Sequence, residues 1–169
     1  MDNRNIFLIG MMGAGKSTVG KLLANKFGMS FIDTDREIEK DAGMSISRIF
    51  SVKGESYFRS LESAYLNEII NSHTQHVISC GGGFPLNPGA LMQMKQVGVV
   101  VYLNCEPKLA YSRIKNQNNR PLKDSEGVFI ERYNLRKETY ENADVICDAN
   151  GSIEHVLMTL SNSLTQFNF

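Results

Sequence analysis

The chain has 169 residues, the length of one ordinary domain, with 42% hydrophobic and 21% charged residues. This composition argues against a disordered chain, and no run approaches the roughly 18 apolar residues that a membrane span needs. Lys and Arg together number 18, as do Asp and Glu, so the formal net charge is zero. A nucleic-acid or membrane-surface binder would show a basic excess. We expect a single domain, 1–169, that is monomeric.

Cysteine usage and the N-terminal segment bear on location. Cys80, Cys105 and Cys147 are too few and too far apart for a disulfide framework, and they lack zinc-ligand spacing. The first residues lead directly into a short apolar stretch without the pattern of a secretory signal. We therefore expect a reducing, cytoplasmic location.

Hydrophobic periodicity predicts alternating strands and helices. We expect strands at about 6–9, 30–33, 77–80, 97–103 and 143–148. We expect helices at about 15–27, 35–52, 55–71, 88–96, 107–116, 127–141 and 152–165, with a polar loop near 116–127. Because apolar strands alternate with helices, the pattern predicts an α/β fold: a parallel sheet with helices on both faces. Its ligand site should lie at the carboxyl ends of the strands.

The segment Gly10–Ser17 fits the pattern G-x-x-x-x-G-K-[ST], with a predicted strand before it and a predicted helix after it. The glycines let backbone N–H groups turn inward around a phosphate, and the helix adds its positive end. Lys16 can reach the β- and γ-oxygens, and the hydroxyl of Ser17 can bind Mg²⁺. The alternative is a glycine-rich turn with an incidental Lys-Ser pair. The motif indicates a nucleoside triphosphate.

A GTPase would need an N-K-x-D guanine reader. The only Asn-Lys pair, Asn25-Lys26, lies inside the first predicted helix and is followed by Phe27-Gly28, which argues against a GTPase.

Two aspartates follow the second predicted strand. Asp33 and Asp35 could simply begin the next helix, because acidic residues suit an N-terminal cap and first turn. At a strand end beside a phosphate site, however, Asp33 could hold a metal-bound water. Asp35 could accept a hydrogen bond from a substrate hydroxyl and orient or deprotonate it.

Arg59 and Glu62 lie on one predicted helix, where they could form an ordinary surface pair. Alternatively, Glu62 orients Arg59, whose planar fork would bind a substrate carboxylate in two places. We expect the neighbouring Phe50 and Phe58 in the core. Three consecutive glycines, 81–83, exceed what one turn needs and indicate close approach of the backbone to a ligand.

Arginines cluster near the polar loop. Arg120 could be an ordinary loop charge, or it could be carried by a lid onto the phosphates while water is excluded from the site. Arg132 and Arg136 follow on the next predicted helix, with the same two alternatives.

Together these segments resemble the shikimate kinases, a family with the nucleoside-monophosphate-kinase-like P-loop fold. The matching pieces occur in the family's order and cover most of the chain: Gly10–Thr18, Asp33-Thr34-Asp35, Phe58-Arg59-x-x-Glu62, Gly81-Gly82-Gly83, Arg120-Pro121-Leu122 and Arg136. The resemblance implies a three-layer fold with a five-stranded sheet in the order 2-3-1-4-5. It also implies a substrate-binding region at about 33–62 and a lid at about 115–127. The implied reaction is transfer of the ATP γ-phosphoryl group to the 3-hydroxyl of shikimate, with Mg²⁺ as cofactor.

The resemblance also implies roles for individual residues. Lys16, Asp35 and Arg120 would be catalytic, Ser17 would bind the metal, and Asp33 would reach it through water. The ATP-binding set would be Gly13, Ala14, Gly15, Lys16, Ser17, Thr18, Arg113 and Arg120, with Arg113 against the adenine. The shikimate-binding set would be Asp35, Arg59, Gly81, Gly82, Gly83 and Arg136.

The chain departs from the family pattern in two places: Lys123 follows Leu122 in the lid, and the segment 148–152 lacks the Arg and Pro common beside the adenine. Three other functions compete with this one. Another small hydroxy-acid kinase of the same fold, such as a gluconate kinase, is the first. A nucleoside monophosphate kinase would need more arginines for a second phosphate, and a non-enzymatic ATP-binding module would tend to lose Lys16, Ser17, Asp33 and Asp35.

Overall fold

The computed structural model describes residues 4–72, 74–115 and 125–169. In this part of the chain, strands and helices alternate as the hydrophobic pattern predicts. In chain order they are β1 (Asn5–Ile9), α1 (Lys16–Phe27), β2 (Ser30–Asp33), α2 (Thr34–Ala42), α3 (Ile46–Lys53), α4 (Glu55–Asn71), β3 (His76–Ser79), α5 (Ala90–Val97), β4 (Gly98–Asn104), α6 (Pro107–Lys115), α7 (Glu126–Glu141), β5 (Val145–Asp148) and α8 (Ile153–Leu164). Short 3₁₀ turns occupy Phe84–Leu86 and Thr165–Phe167.

The five strands form one sheet in the order β2-β3-β1-β4-β5. Every neighbouring pair is parallel, and helices cover both sides. The predicted fold class and strand order are therefore confirmed. β1 is buried along its whole length at the centre of the sheet, which explains its continuous apolar sequence.

The hydrophobic residues form two clusters. The larger one surrounds the sheet and contains the fully buried residues of β1 and β4. The smaller one joins α2, α3 and α4 through Ile38, Ile49 and Phe58. The segment that carries Asp35 and Arg59 is therefore packed partly on a core of its own.

The continuous helix predicted at 35–52 is wrong. Gly43 ends α2 in a left-handed conformation, with φ of 62°, and its N–H faces the carbonyls of Glu39 and Lys40. Two residues later, Ser45 begins α3 by accepting a hydrogen bond from the backbone of Arg48. A glycine stop and a serine cap thus outweigh the helical periodicity of the segment.

The predicted lid at about 115–127 falls largely outside the described residues, which omit 116–124, and Arg120 is among those omitted. On its far side, Ser125 caps α7 by accepting from the backbone N–H of Val128. Within the described ranges, no helix is both long enough and apolar enough to cross a membrane.

Candidate active site

The phosphate-loop motif forms the connection between β1 and α1. Gly15, immediately before the helix, has φ of 96°, a backbone conformation that residues with a side chain rarely adopt. A Cβ on Gly13 would collide with the carbonyl oxygen of Ala110, so α6 packs directly on the loop. The loop lies open to a cleft on its other side, with the positive end of α1 facing that cleft.

Lys16 places its ammonium group inside the curve of this loop. Its Nζ donates hydrogen bonds to the carbonyl oxygens of Gly10 and Met11, at 2.8 and 2.9 Å. Burial lowers the pKa of Lys16 to about 8, and the nearby carboxylates of Asp35 and Asp33 oppose that shift. Among the described residues, the hydrogen bonds of this partly buried cation go to carbonyl oxygens, so its ammonium group is well suited to bind a phosphate oxygen.

Ser17 and Asp33 meet beside the loop. Ser17 Oγ donates to Asp33 Oδ2 at 2.7 Å and lies 3.3 Å from Ser79 Oγ. Asp33 occupies the N-cap position of α2, but its side chain makes no capping hydrogen bond. The simple capping interpretation of Asp33 is therefore wrong.

Hydroxyl and carboxylate oxygens suit Mg²⁺, which prefers one or two protein oxygens together with phosphate oxygens and water. Among the described residues, no group of three or more His, Cys, Asp and Glu side chains could hold a metal alone. The oxygens around Ser17 thus fit a metal that arrives with the nucleotide.

Arg59 is held by two carboxylates on its own helix. Its Nη1 donates to Glu62 Oε2 at 2.7 Å, while Nη2 and Nε donate to Glu55 Oε1 at 2.8 and 3.3 Å. The side chain of Glu62 is only 1% exposed, so the pair is not an ordinary surface pair. Burial raises the pKa of Glu62, opposed by its bond to Arg59. Burial also disfavours the charge of Arg59, but the bonds to Glu62 and Glu55 outweigh it and raise the pKa of Arg59.

The three glycines that follow β3 each face a different predicted site residue. A Cβ on the first, Gly81, would collide with the carboxylate of Asp35. A Cβ on the second would lie 3.1 Å from Nη1 of Arg136, and one on the third would collide with the guanidinium of Arg59. The glycines thus let three charged side chains approach one stretch of backbone.

Helix α7 is fixed to this backbone by Tyr140. Its hydroxyl donates to the carbonyl oxygen of Gly82 at 2.5 Å and lies 3.5 Å from Met11 Sδ. Arg136, one turn earlier, lies 4.0 Å from the same sulfur. Arg132 also lines the cleft, so both arginines of α7 face it.

Arg113 lies at the other end of the cleft. Its Nη1 donates to the carbonyl oxygen of Ala149 at 3.3 Å and lies 3.5 Å from Cys105 Sγ. The segment after β5 contributes Gly151, Ser152 and Ile153 to the cleft wall. The loop that lacks Arg and Pro therefore lies beside Arg113.

One cleft of about 1350 Å³ lies at the carboxyl ends of the strands. It brings together every predicted site residue that the structure describes: Gly13, Ala14, Gly15, Lys16, Ser17, Thr18, Asp33, Asp35, Arg59, Gly81, Gly82, Gly83, Arg113 and Arg136. Arg120 lies outside the described residues.

Some features of the cleft differ from the sequence expectations or were missed by them. Phe58 is buried as expected, but Phe50 is 37% exposed, and both rings line the cleft. Cys80 is buried, and burial raises the pKa of its thiol. Glu55, four residues before Arg59, and Ser79, the last residue of β3, were missed. Helical spacing and a strand-end position are the signals that could have found them.

A central strand that leads through a glycine-rich loop into a helix, with a lysine inside the loop and a Ser–Asp pair beside it, defines a P-loop phosphotransferase. A family model described as shikimate kinase matches residues 12–165. A shikimate kinase from Persephonella marina is 42% identical over 149 residues, which cover 88% of this chain and 90% of that protein. The chain belongs to the shikimate kinase family, and it is a kinase that phosphorylates shikimate.

Solved structures agree with this assignment. Shikimate kinase from Acinetobacter baumannii in complex with shikimate has a TM-score of 0.87 and 33% identity, covering 96% of this chain and 94% of that one. A gluconokinase from Sinorhizobium meliloti reaches a TM-score of 0.65 at 16% identity, covering 98% and 94%. That likeness extends to the fold alone, so a gluconate kinase is the weaker alternative.

Proposed function

We propose that this chain transfers the γ-phosphoryl group of magnesium-bound ATP to the 3-hydroxyl of shikimate, giving shikimate 3-phosphate and ADP. The observation that carries the proposal is the convergence of Asp35, Arg136 and Arg59 on the three glycines at 81–83. The carboxylate of Asp35, suited to a substrate hydroxyl, and two arginines, suited to a substrate carboxylate, therefore lie around the same stretch of backbone. The A. baumannii shikimate kinase, solved with shikimate, supports the choice of acceptor.

The nucleotide is proposed to bind along the phosphate loop. The backbone N–H groups from Gly13 to Thr18 surround the β-phosphate, and Lys16 turns from its two carbonyl partners to the β- and γ-oxygens. Arg113 lies against the adenine, a role consistent with its position beside the segment after β5.

Ser17 is the proposed direct ligand of Mg²⁺, and Asp33 holds one of its water ligands. The short bond between these two side chains supports this assignment, because the hydroxyl is already turned toward a carboxylate. When bound, Mg²⁺ would supply positive charge that compensates the negative charge of the ATP phosphates.

The acceptor is proposed to lie over the glycines. Arg59 and Arg136 bind the shikimate carboxylate, while Asp35 and the Gly82 backbone hold its hydroxyls. Asp35 orients the 3-hydroxyl toward the γ-phosphorus and accepts its proton as the new P–O bond forms and the bond from the γ-phosphorus to the oxygen of the departing ADP breaks. Catalysis then consists of two contributions. The protein aligns the attacking 3-hydroxyl oxygen and the leaving oxygen of ADP on opposite sides of the γ-phosphorus, and it compensates the negative charge of the phosphates.

Two further regions belong to this proposal. The segment of about 33–62 forms the substrate-binding region, supported by its separate small core. A lid at about 115–127 that brings Arg120 over the phosphates and excludes water is proposed from the family resemblance alone, because residues 116–124 lie outside the described ranges. We propose that the single domain works as a cytoplasmic monomer, without nucleic acid or membrane as a partner, consistent with its zero net charge.

The test combines product analysis with one substitution. Phosphorus–proton coupling at carbon 3 of the product would identify phosphorylation of the 3-hydroxyl, and coupling at another carbon would contradict it. Asp35→Asn should lower kcat by about 100-fold or more while shikimate still binds. Asp41→Asn, on the exposed side of α2, is the matched control. Near-normal turnover of Asp35→Asn would contradict the role of Asp35.

A further inference from the structure

Asn87 makes a buried contact with the helix that carries Arg59. It follows the 3₁₀ turn Phe84–Leu86 and is only 7% exposed. Its Nδ2 donates to Glu62 Oε2 at 3.0 Å, the same oxygen that accepts from Arg59. Its backbone is also fixed, because its N–H donates to the carbonyl of Phe84 and its carbonyl accepts from Ala90.

We propose that Asn87 is a positioning residue for the acceptor: it fixes the carboxylate of Glu62, which in turn fixes the guanidinium of Arg59 for the shikimate carboxylate. This inference rests on the proposed function of Arg59. It adds a residue from outside α4 to the substrate-binding arrangement.

The hydrogen bonds of Glu62 explain why Asn87 matters. Among the described residues, Glu62 Oε1 has no hydrogen-bond partner, so both donors converge on Oε2. Arg59 is a flexible donor that can move with the carboxylate. Asn87 is a short side chain on a fixed backbone, and it therefore holds the carboxylate in one orientation.

The orientation of Glu62 decides which donors of Arg59 remain for a substrate. A guanidinium has five N–H donors. Glu62 accepts from one N–H of Nη1, and Glu55 accepts from one N–H of Nη2 and from the N–H of Nε. One N–H then remains on each terminal nitrogen, which is the pair that binds a carboxylate in two places. Rotation of Glu62 would disturb this pair.

Asn87 also sets the distance between Arg59 and the glycines. The guanidinium packs against Gly83, four residues before Asn87 in the same turn. The bond to Glu62 therefore ties the segment 81–87 to α4. The bond connects the two parts of the proposed shikimate site, α4 and the segment 81–87. We therefore expect its loss to weaken shikimate binding and to leave nucleotide binding unchanged.

The test uses two substitutions that remove the donor. Asn87→Leu removes it with little change in size, and Asn87→Asp keeps the shape but sets a second carboxylate beside Glu62. Each should raise the KM for shikimate by about tenfold or more, with Asn87→Asp the larger. The KM for ATP should stay within about twofold and kcat within about threefold, because the phosphate loop is untouched.

A conservative variant separates positioning from loss of the side chain. Asn87→Gln keeps an amide donor for the carboxylate of Glu62 and leaves the Glu62–Arg59 pair intact. We expect its KM for shikimate to be at least about threefold lower than that of Asn87→Leu.

Asn5→Leu is the matched control. Asn5 is also buried, at the amino-terminal end of the central strand β1, where its side chain donates to the carbonyl of Val97 and accepts from the backbone N–H of His76. It should lower the melting temperature without moving either KM.

The outcomes distinguish the inference from the proposed function. If the wild-type protein releases no ADP with shikimate, the proposed function fails and the inference fails with it. If the wild-type protein is active but folded Asn87→Leu and Asn87→Asp keep the KM for shikimate within twofold, only the inference is overturned. Equal changes in both KM values would also overturn it, since a purely structural role predicts that result.

Discussion

Ser17 Oγ donates a 2.7 Å hydrogen bond to Asp33 Oδ2, joining the first turn of α1 to the end of β2. Ser79 Oγ completes the group from the end of β3, which pairs with β2 at Asp33. Three oxygen-bearing side chains therefore meet where three neighbouring elements end. The bond argues against simple capping by Asp33, because a capping side chain would turn toward its own helix.

Ser17→Ala should raise the Mg²⁺ concentration needed for half-maximal ADP release by roughly tenfold, since a direct metal ligand is lost. The measurement is a magnesium titration at fixed ATP and shikimate. Ser163→Ala, whose hydroxyl bonds only within α8, serves as the control. An unchanged magnesium dependence would remove Ser17 from the metal site.

Nucleotide binding should take up protons at alkaline pH. Lys16 has a pKa of about 8 in the free protein, and anionic phosphates would raise that pKa by favouring the ammonium. At pH 8.5 binding should therefore take up as much as about three quarters of a proton, and at pH 6.5 almost none, because Lys16 is then already charged.

Calorimetry of ADP binding in two buffers of different ionisation enthalpy measures this uptake. Lys16→Met should abolish it. Proton release at pH 8.5, or equal uptake at both pH values, would contradict the placement of Lys16 against the phosphates.

Arg59→Lys keeps the positive charge but loses the planar fork. Lysine cannot bond to Glu55, Glu62 and a substrate carboxylate in the same geometry. We expect the KM for shikimate to rise by about tenfold or more with a small change in the KM for ATP. Steady-state kinetics with each substrate varied in turn checks this, and an unchanged KM for shikimate would leave Arg59 as a structural residue.

Gly83→Ala tests the close approach of backbone and guanidinium. Gly83 has φ of −95°, so alanine suits its backbone, but the added methyl group would collide with Arg59. Arg59 can move aside, so we expect little loss of stability and a rise of about tenfold in the KM for shikimate.

Gly127→Ala is the matched control, because among the described residues outside its own helix backbone and chain neighbours the nearest atom to an added Cβ is Ser125 Oγ, at 4.0 Å. The melting temperature and the KM for shikimate are measured for both variants. A normal KM for shikimate in Gly83→Ala would contradict binding of the substrate carboxylate by the Arg59 guanidinium in its present position.

The sequence predicted those parts of the site that local patterns define. Gly10–Ser17, Asp33 and the glycines at 81–83 each end a strand, and the parallel sheet brings those ends together. The strand order came from the family resemblance, because uniformly apolar strands do not identify their neighbours. Arg120 stays a prediction, since it lies outside the described residues.

Contacts between distant residues could not be found in this way. Glu62 and Asn87 are 25 residues apart, and helical periodicity gives a face of α4 without naming what covers it. The burial of Glu62 was therefore missed. The break at Gly43 had a signal in the following serine cap, but the apolar periodicity across it suggested one helix.

The most direct test of the account is ADP release from MgATP with shikimate, gluconate, AMP or no acceptor, measured on one preparation of the protein. We predict release that depends on shikimate alone, because the chain belongs to the shikimate kinase family and Asp35, Arg59 and Arg136 lie around the glycines. Equal or faster release with gluconate or AMP would contradict the acceptor assignment. Measurable ATP binding without release for any acceptor would contradict the kinase function itself.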